Sequence, residues 1–181
     1  MAITRIGPNQ SINLASNITG TLPVANGGTA ITSGFINGTA TPGKVIQIVN
    51  AHTGTQVTSN STTYADTTLT ATITPSSTSS KVLVLIQQSV GKSDHNTYGN
   101  IRVYRDSTEI GGAVAGRAIG YTANSDYVYV GIGFSNSFLD TPSSTSALVY
   151  KTQFNNNAGS GTIRVQTDSG QSYMTLMEIA G

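Results

Sequence analysis

The chain has 181 residues, no cysteine, and 9 Lys plus Arg against 8 Asp plus Glu, with charged residues only 9% of the total. That length fits one domain with extensions and a core that can hold without disulfides. The missing cysteine excludes thiol chemistry and cysteine-based metal sites, and the lack of a basic patch argues against nucleic acid as a ligand.

Ser and Thr together number 48, and Gly 20. Thr, Val, Ile and Tyr favour strands, while Gly, Asn and Ser favour turns, so the composition is that of a β-rich protein. The longest apolar run, 82–86, is far shorter than the ~18 residues of a membrane helix. The first ten residues, MAITRIGPNQ, lack the apolar stretch of a secretory signal. The expectation is a chain that neither inserts in a membrane nor follows the general export route. It would be made in the cytosol and released within a larger particle.

Residues 1–43 hold Pro8, Pro23 and Pro42 and scattered single apolar residues, among them Ile18, Leu22 and Val24, with no helical spacing. They read as an extended arm, a unit separate from residues 44–181. Such an arm cannot bury its own Ile and Leu side chains, so it should order against a partner or against sister copies.

From Lys44 onward strands follow one another. KVIQIVNA (44–51) is a short strand, and TTLTATIT (67–74) puts Leu69, Ala71 and Ile73 on one face and threonines on the other. TPSSTSS (74–80) is a turn. KVLVLIQQSV (81–90) is apolar on both faces, as a central strand should be. NIRVYRD (100–106) alternates, and EIGGAVAG (109–116) is a weaker candidate. YVYVGIGF (127–134) sets Val128, Val130, Ile132 and Phe134 against a face of Tyr127, Tyr129, Gly131 and Gly133. ALVYKTQF (147–154) and TIRVQTD (162–168) flank NNNAGSG (155–161), which reads as a hairpin connection. SYMTLMEIAG (172–181) closes the chain. About eight strands and no amphipathic helix predict an all-β antiparallel sandwich, with a jelly roll as the favoured topology.

The last strand is apolar on both faces, with Tyr173 and Met177 on one side and Met174 and Leu176 on the other. As an edge strand it would need a cover. Together with Tyr127 and Tyr129 it predicts a subunit interface, and a ring of three copies would also cover the arm; the alternative is that both faces pack inside one monomer.

Chemistry-bearing clusters are sparse, and neither a catalytic nor a metal site is assigned. Asp94 and His95 adjoin in one polar loop, but adjacency is thin support for zinc, and the abundance of serine makes any triad pairing meaningless. GTATPG and GGAVAG lack the Lys and Ser/Thr of a phosphate loop, and no cofactor is implied. The loop residues Asp94, His95, Asn96, Tyr98 and Tyr121 combine rings with amides and a carboxylate, a set suited to reading sugars. The plainer alternative is that the tyrosines cap the sandwich edge.

ITGTLPVANGGTA (18–30) closely resembles a spacer that recurs in tail-fibre and related structural proteins of bacteriophages, Thr-Gly-Thr-Leu-Pro-Val-x-Asn-Gly-Gly-Thr. Thr19 to Val24, Asn26, Gly27, Gly28 and Thr29 match; Ala30 stands where glycine is more usual. TPSSTSSKVLVLI with the closing TLMEIAG resembles C-terminal domains of marine and cyanobacterial phage structural proteins. The resemblance implies a homotrimer whose arms dock into the particle while β domains project outward. The docking contacts would come from Ile18, Leu22, Pro23, Val24, Asn26, Gly27 and Gly28. Gly27-Gly28 lets the chain turn freely, and Pro23 limits the conformations lost on ordering. Fully extended, 43 residues reach at most roughly 140–150 Å, enough to cross a subunit boundary. The expected function is a virion fibre or tail-tip subunit that presents its β domain to the host surface. The small size of the chain, with little room expected for a separate tail-attachment domain, keeps a head fibre or capsid decoration protein as the second reading, and the lack of a catalytic cluster makes a polysaccharide depolymerase a distant third.

Overall fold

The computed structural model describes residues 42–94, 96–110, 116–119, 130–158 and 160–181. Every statement about structure below concerns these residues. The assembly-arm residues Ile18 to Gly28, and also His95, Tyr121, Tyr127 and Tyr129, lie outside them.

The described residues form eleven strands: β1 (Val45–Thr53), β2 (Val57–Ser59), β3 (Ala65–Ile73), β4 (Lys81–Lys92), β5 (Gly99–Arg105), β6 (Thr108–Ile110), β7 (Gly116–Ile119), β8 (Val130–Asp140), β9 (Leu148–Asn156), β10 (Ile163–Val165) and β11 (Ser172–Ile179). They make two antiparallel sheets. The chain is therefore all-β with sandwich architecture. The first sheet runs β1-β11-β4-β8, with β10 and β2 continuing beyond the end of β11 on the same side of β4. The second runs β3-β9-β5, and β6 and β7 share the remaining edge of β5.

Alternation explains which side chains go inside. On β3, Leu69, Ala71 and Ile73 are buried while Thr70 and Thr72 face water. On β4, Val82, Val84 and Ile86 are buried, and Leu83 and Leu85 on the opposite face are half-buried. β4 is central, flanked by β8 along its length and by β11 and then β10 on the other side. The interior falls into two apolar clusters. One is built around Leu69, Val84, Tyr150 and Leu176, the other around Val90, Ile101, Phe154 and Ile163. On β4 and β9 the residues between them are Gln88 and Thr152, both fully buried. Thr152 meets Thr67 through a hydroxyl–hydroxyl bond of 2.5 Å. A polar belt inside a core needs partners for its donors and acceptors, and Thr67 and Thr152 supply each other's between β3 and β9 of the second sheet.

Two sequence expectations are corrected. SYMTLMEIAG is not an edge strand: β11 sits between β1 and β4. Met174 and Leu176 are fully buried between the sheets. They are core residues rather than subunit-interface residues; of the four, only Tyr173 and Met177 lie on the outer face. NNNAGSG is not a hairpin. β9 belongs to the second sheet and β10 to the first, so this connection carries the chain across the sandwich. Turn-rich composition marks a reversal but does not say which sheet receives the next strand.

Candidate functional site

The register gives the sandwich two distinct ends. At one, β1 begins beside the end of β11, and β11 ends beside the start of β4 (Val45 opposite Ile179, Ile179 opposite Lys81). At the other, β4 ends opposite the starts of β8 and β10, and β5 starts opposite the end of β9. The 12-residue β4 spans the distance, about 36 Å at ~3.3 Å per residue.

The chain enters at the first end, and several contacts fasten it there. The Gly43 amide donates to the Ala180 carbonyl at 2.7 Å, and the Ala180 amide donates to the Lys44 carbonyl at 2.8 Å. Glu178, on the inward face of β11 and fully buried, holds three segments together. Its carboxylate accepts from the Ser76 amide at 2.7 Å, the Ser76 hydroxyl at 2.6 Å and the Gln47 amide group at 2.6 Å. Burial alone would push this carboxyl up; the donors outweigh it and hold its pKa at about 2. A second carboxylate, Asp140, accepts from Arg105 at 2.5 Å and from the Tyr150 hydroxyl at 2.7 Å. That joins β8 of the first sheet to β5 and β9 of the second. Burial, and then the neighbouring carboxylate, raise the Tyr150 pKa.

The opposite end carries the polar loop singled out from sequence. Asp94, Asn96 and Tyr98 lie between β4 and β5, and the loop is laced to residues 157–162. Asp94 Oδ2 accepts from the Ser93 hydroxyl at 3.0 Å and from the Thr162 amide at 3.2 Å. The Thr97 hydroxyl donates to the Ser160 carbonyl at 2.5 Å, and the Ser160 hydroxyl to the Asn96 carbonyl at 3.2 Å. Asn157 meets Tyr98 twice, through its amide on the Tyr98 carbonyl at 2.9 Å and through its side chain on the phenol oxygen. Beneath the loop the buried Lys92 ammonium donates to the Thr97 carbonyl at 3.0 Å, and burial lowers its pKa. The result is one braced platform made from two connections.

Of the five residues expected to bind a receptor, the structure thus brings three together. Asp94 braces the loop; Asn96 is exposed and Tyr98 half-buried. The residues that hold them, Thr97, Asn157, Ser160 and Gly161, carried no signal in the sequence beyond turn composition. Glu178 did carry one: a lone acid in an apolar strand, at an inward position, has to be paired.

Gly161 shows how tight the platform is. It has φ +66, and a side chain there would run into the Asp94 carboxylate and the Thr97 hydroxyl. Gly161→Ala is expected to cost about 1–2 kcal/mol and to unlace the two connections. Hydrogen exchange checks this: the Asn157 and Thr162 amides should exchange faster in the variant while amides of β11 stay protected.

No group of three or more His, Asp or Glu residues able to hold a metal ion occurs among the described residues.

No family model matches the chain, and no curated protein matches it at a significant level. Among solved structures the chain is similar to infectious bursal disease virus VP2, determined as a subviral particle. The identity is 9% and the TM-score 0.40, over 80% of this chain and 39% of that one. The chain thus spans about two fifths of the length of that protein.

Proposed function

We propose that this chain is a bacteriophage virion structural protein, a homotrimeric fibre or tail-tip subunit that docks through its N-terminal arm and offers its β domain to the host surface. The observation that carries this reading is the polarity of the domain. The chain enters at an end fastened by Glu178 and by the pairing of residues 43 and 44 with Ala180. The braced loop platform lies at the other end. A domain attached at one end and decorated at the other projects whatever its loops recognise. The spacer-like stretch at 18–30 supplies the link to phage fibres.

Strand order supports a jelly roll. Counting β6 and β7 as one interrupted strand and leaving out the short β2 and β10, the eight positions run 1-8-3-6 in one sheet and 2-7-4-5 in the other. That fold places the connections between sheets at the two ends, where they form the fastening and the platform. On the platform, the Tyr98 ring beside the amides of Asn96 and Asn157 suits a glycan, the ring covering an apolar sugar face and the amides reading hydroxyls.

The test is a truncation. Removing residues 1–30 should leave a folded β domain that no longer enters particles, while the full chain incorporates and, in excess, blocks adsorption to susceptible cells. Normal incorporation of the truncated chain would overturn the docking role of the arm. Copy number per particle, read from a stained gel, separates a fibre (few) from a capsid decoration protein (many).

A further inference from the structure

The two outer faces of the sandwich meet water differently. On the second sheet the outward positions include Asp66, Lys151, Arg102 and Glu109, joined as two ion pairs at 3.0 and 3.1 Å. Arg102 also lies over the Tyr64 ring, 4.0 Å from its centre. Such a face is solvated in the ordinary way of an antiparallel sheet.

The outer face of the first sheet carries no such ion pairs at its centre. Ile48, Met177, Leu83 and Leu139 stand in register across β1, β11, β4 and β8, an unbroken apolar row over four strands. Val45 and Ile179 pair in the row on one side of it, and Leu85 stands on the other. Ile48 is 60% exposed and Leu139 50%. Further along, Tyr173 is exposed and stacks on His52 with ring centres 6.0 Å apart. The remaining outward positions of these four strands are Ser, Thr, Asn, Gln and Gly apart from Lys81 at the rim; Arg164 stands beyond them on β10, opposite Gly91. The four strands run together along residues 81–87 of β4, and β4 with β8 alone over the rest, which at ~4.8 Å per strand and ~3.3 Å per residue gives a face on the order of 600 Å², about three quarters of the ~800 Å² that each partner contributes to a stable interface.

We infer that this outer face of the first sheet, centred on the row from Ile48 to Leu139, is the surface through which one copy of the chain binds a second copy. Around that row the face offers no charge for an acidic or basic partner to read, Lys81 and Arg164 standing only towards its two ends. It is a sheet surface rather than a deep cavity, so it does not suit a small ligand. Apolar surface on a sister copy is what it complements, and in a ring of three each copy would turn this face to its neighbour. The inference rests on the self-assembling subunit proposed above and names the surface which that reading leaves open. Tyr173 and Met177 belong to it.

Sedimentation velocity of the full chain tests it. The wild-type chain should sediment as an oligomer. The double variant Ile48→Asp plus Leu139→Lys changes two side chains already exposed in the single subunit, so the fold should persist. Burying the new charges should raise the dissociation constant at least ~100-fold. Val149→Asp, at a 39% exposed position on the other outer face, should leave association unchanged. A double variant that assembles like the wild type overturns this inference and leaves the fibre reading standing. A wild-type chain that is monomeric throughout overturns both. As a check independent of charged substitutions, Leu139→Cys in this cysteine-free chain should react with a maleimide at least ~10-fold more slowly than Val149→Cys. Equal rates would count against the face.

Discussion

Glu178→Gln is expected to cost the sandwich about 2–3 kcal/mol at neutral pH and to remove much of its sensitivity to acid. The reason is donor direction. In the folded chain the carboxylate accepts from the Ser76 amide, the Ser76 hydroxyl and the Gln47 side chain. An amide in its place can accept on one atom only, and its NH₂ group would face the Gln47 NH₂. Gln47 also donates to the Thr74 carbonyl at 2.7 Å, so the start of β1, the 74–76 turn and β11 loosen together. The sign with pH follows from the pKa. The carboxyl titrates at about 2 in the fold, against 4.5 in the unfolded chain. Its contribution is present in full above pH 4.5 and is lost as pH falls towards 2. Urea unfolding of both proteins across that range should show the wild-type advantage shrinking towards zero at the acid end. Two curves that run parallel from neutral pH to pH 2 would show that the carboxylate does not act this way.

Strand positions were legible because each carries its own period. The threonine/apolar alternation of TTLTATIT predicts the inner face of β3, and the doubly apolar KVLVLIQQSV predicts a central strand. What each strand lies beside is a long-range fact that local pattern does not encode. SYMTLMEIAG looks the same whether it closes an edge or fills the gap between β1 and β4, and only the second arrangement buries Met174 and Leu176 within one chain. The irregularity in β3 was also hidden. Its register against β9 slips between Asp66 and Thr70, and Thr68 adopts φ 68, a conformation that branched residues rarely take and that no propensity would assign to it. Of the candidate site, the loop of Asp94, Asn96 and Tyr98 was visible as a polar cluster. Its bracing was not, since Asn157, Ser160 and Thr162 lie some sixty residues further along the chain.

Asp140→Ala is expected to be the most damaging single change outside the apolar core, costing about 3–5 kcal/mol. Two donors converge on one carboxylate oxygen: the Arg105 guanidinium at 2.5 Å and the Tyr150 hydroxyl at 2.7 Å. Burial works against the Arg105 charge, and Asp140 outweighs it, so the guanidinium stays ionised. With the carboxylate gone, a largely buried charge and a buried hydroxyl both lose their acceptor, and the tie from β8 to β5 and β9 opens. Tyr150→Phe removes a donor and leaves the ion pair, so it should cost only about 1 kcal/mol. Pairing Asp140→Ala with Arg105→Met removes the stranded charge and should restore part of the loss, giving a coupling of roughly 1–3 kcal/mol between the two sites. For a domain of this size the single change should lower the melting temperature by roughly 10 °C. The tie stands at the same end as Glu178, where the chain enters β1. In the proposed fibre a pull through the arm would reach that end, where Asp140 ties β8 to β5 and β9 of the other sheet and Glu178 ties the 74–76 turn to β1 and β11. If Asp140→Ala and Tyr150→Phe prove equally mild, the ion pair is a surface ornament and the fastening falls to Glu178 alone.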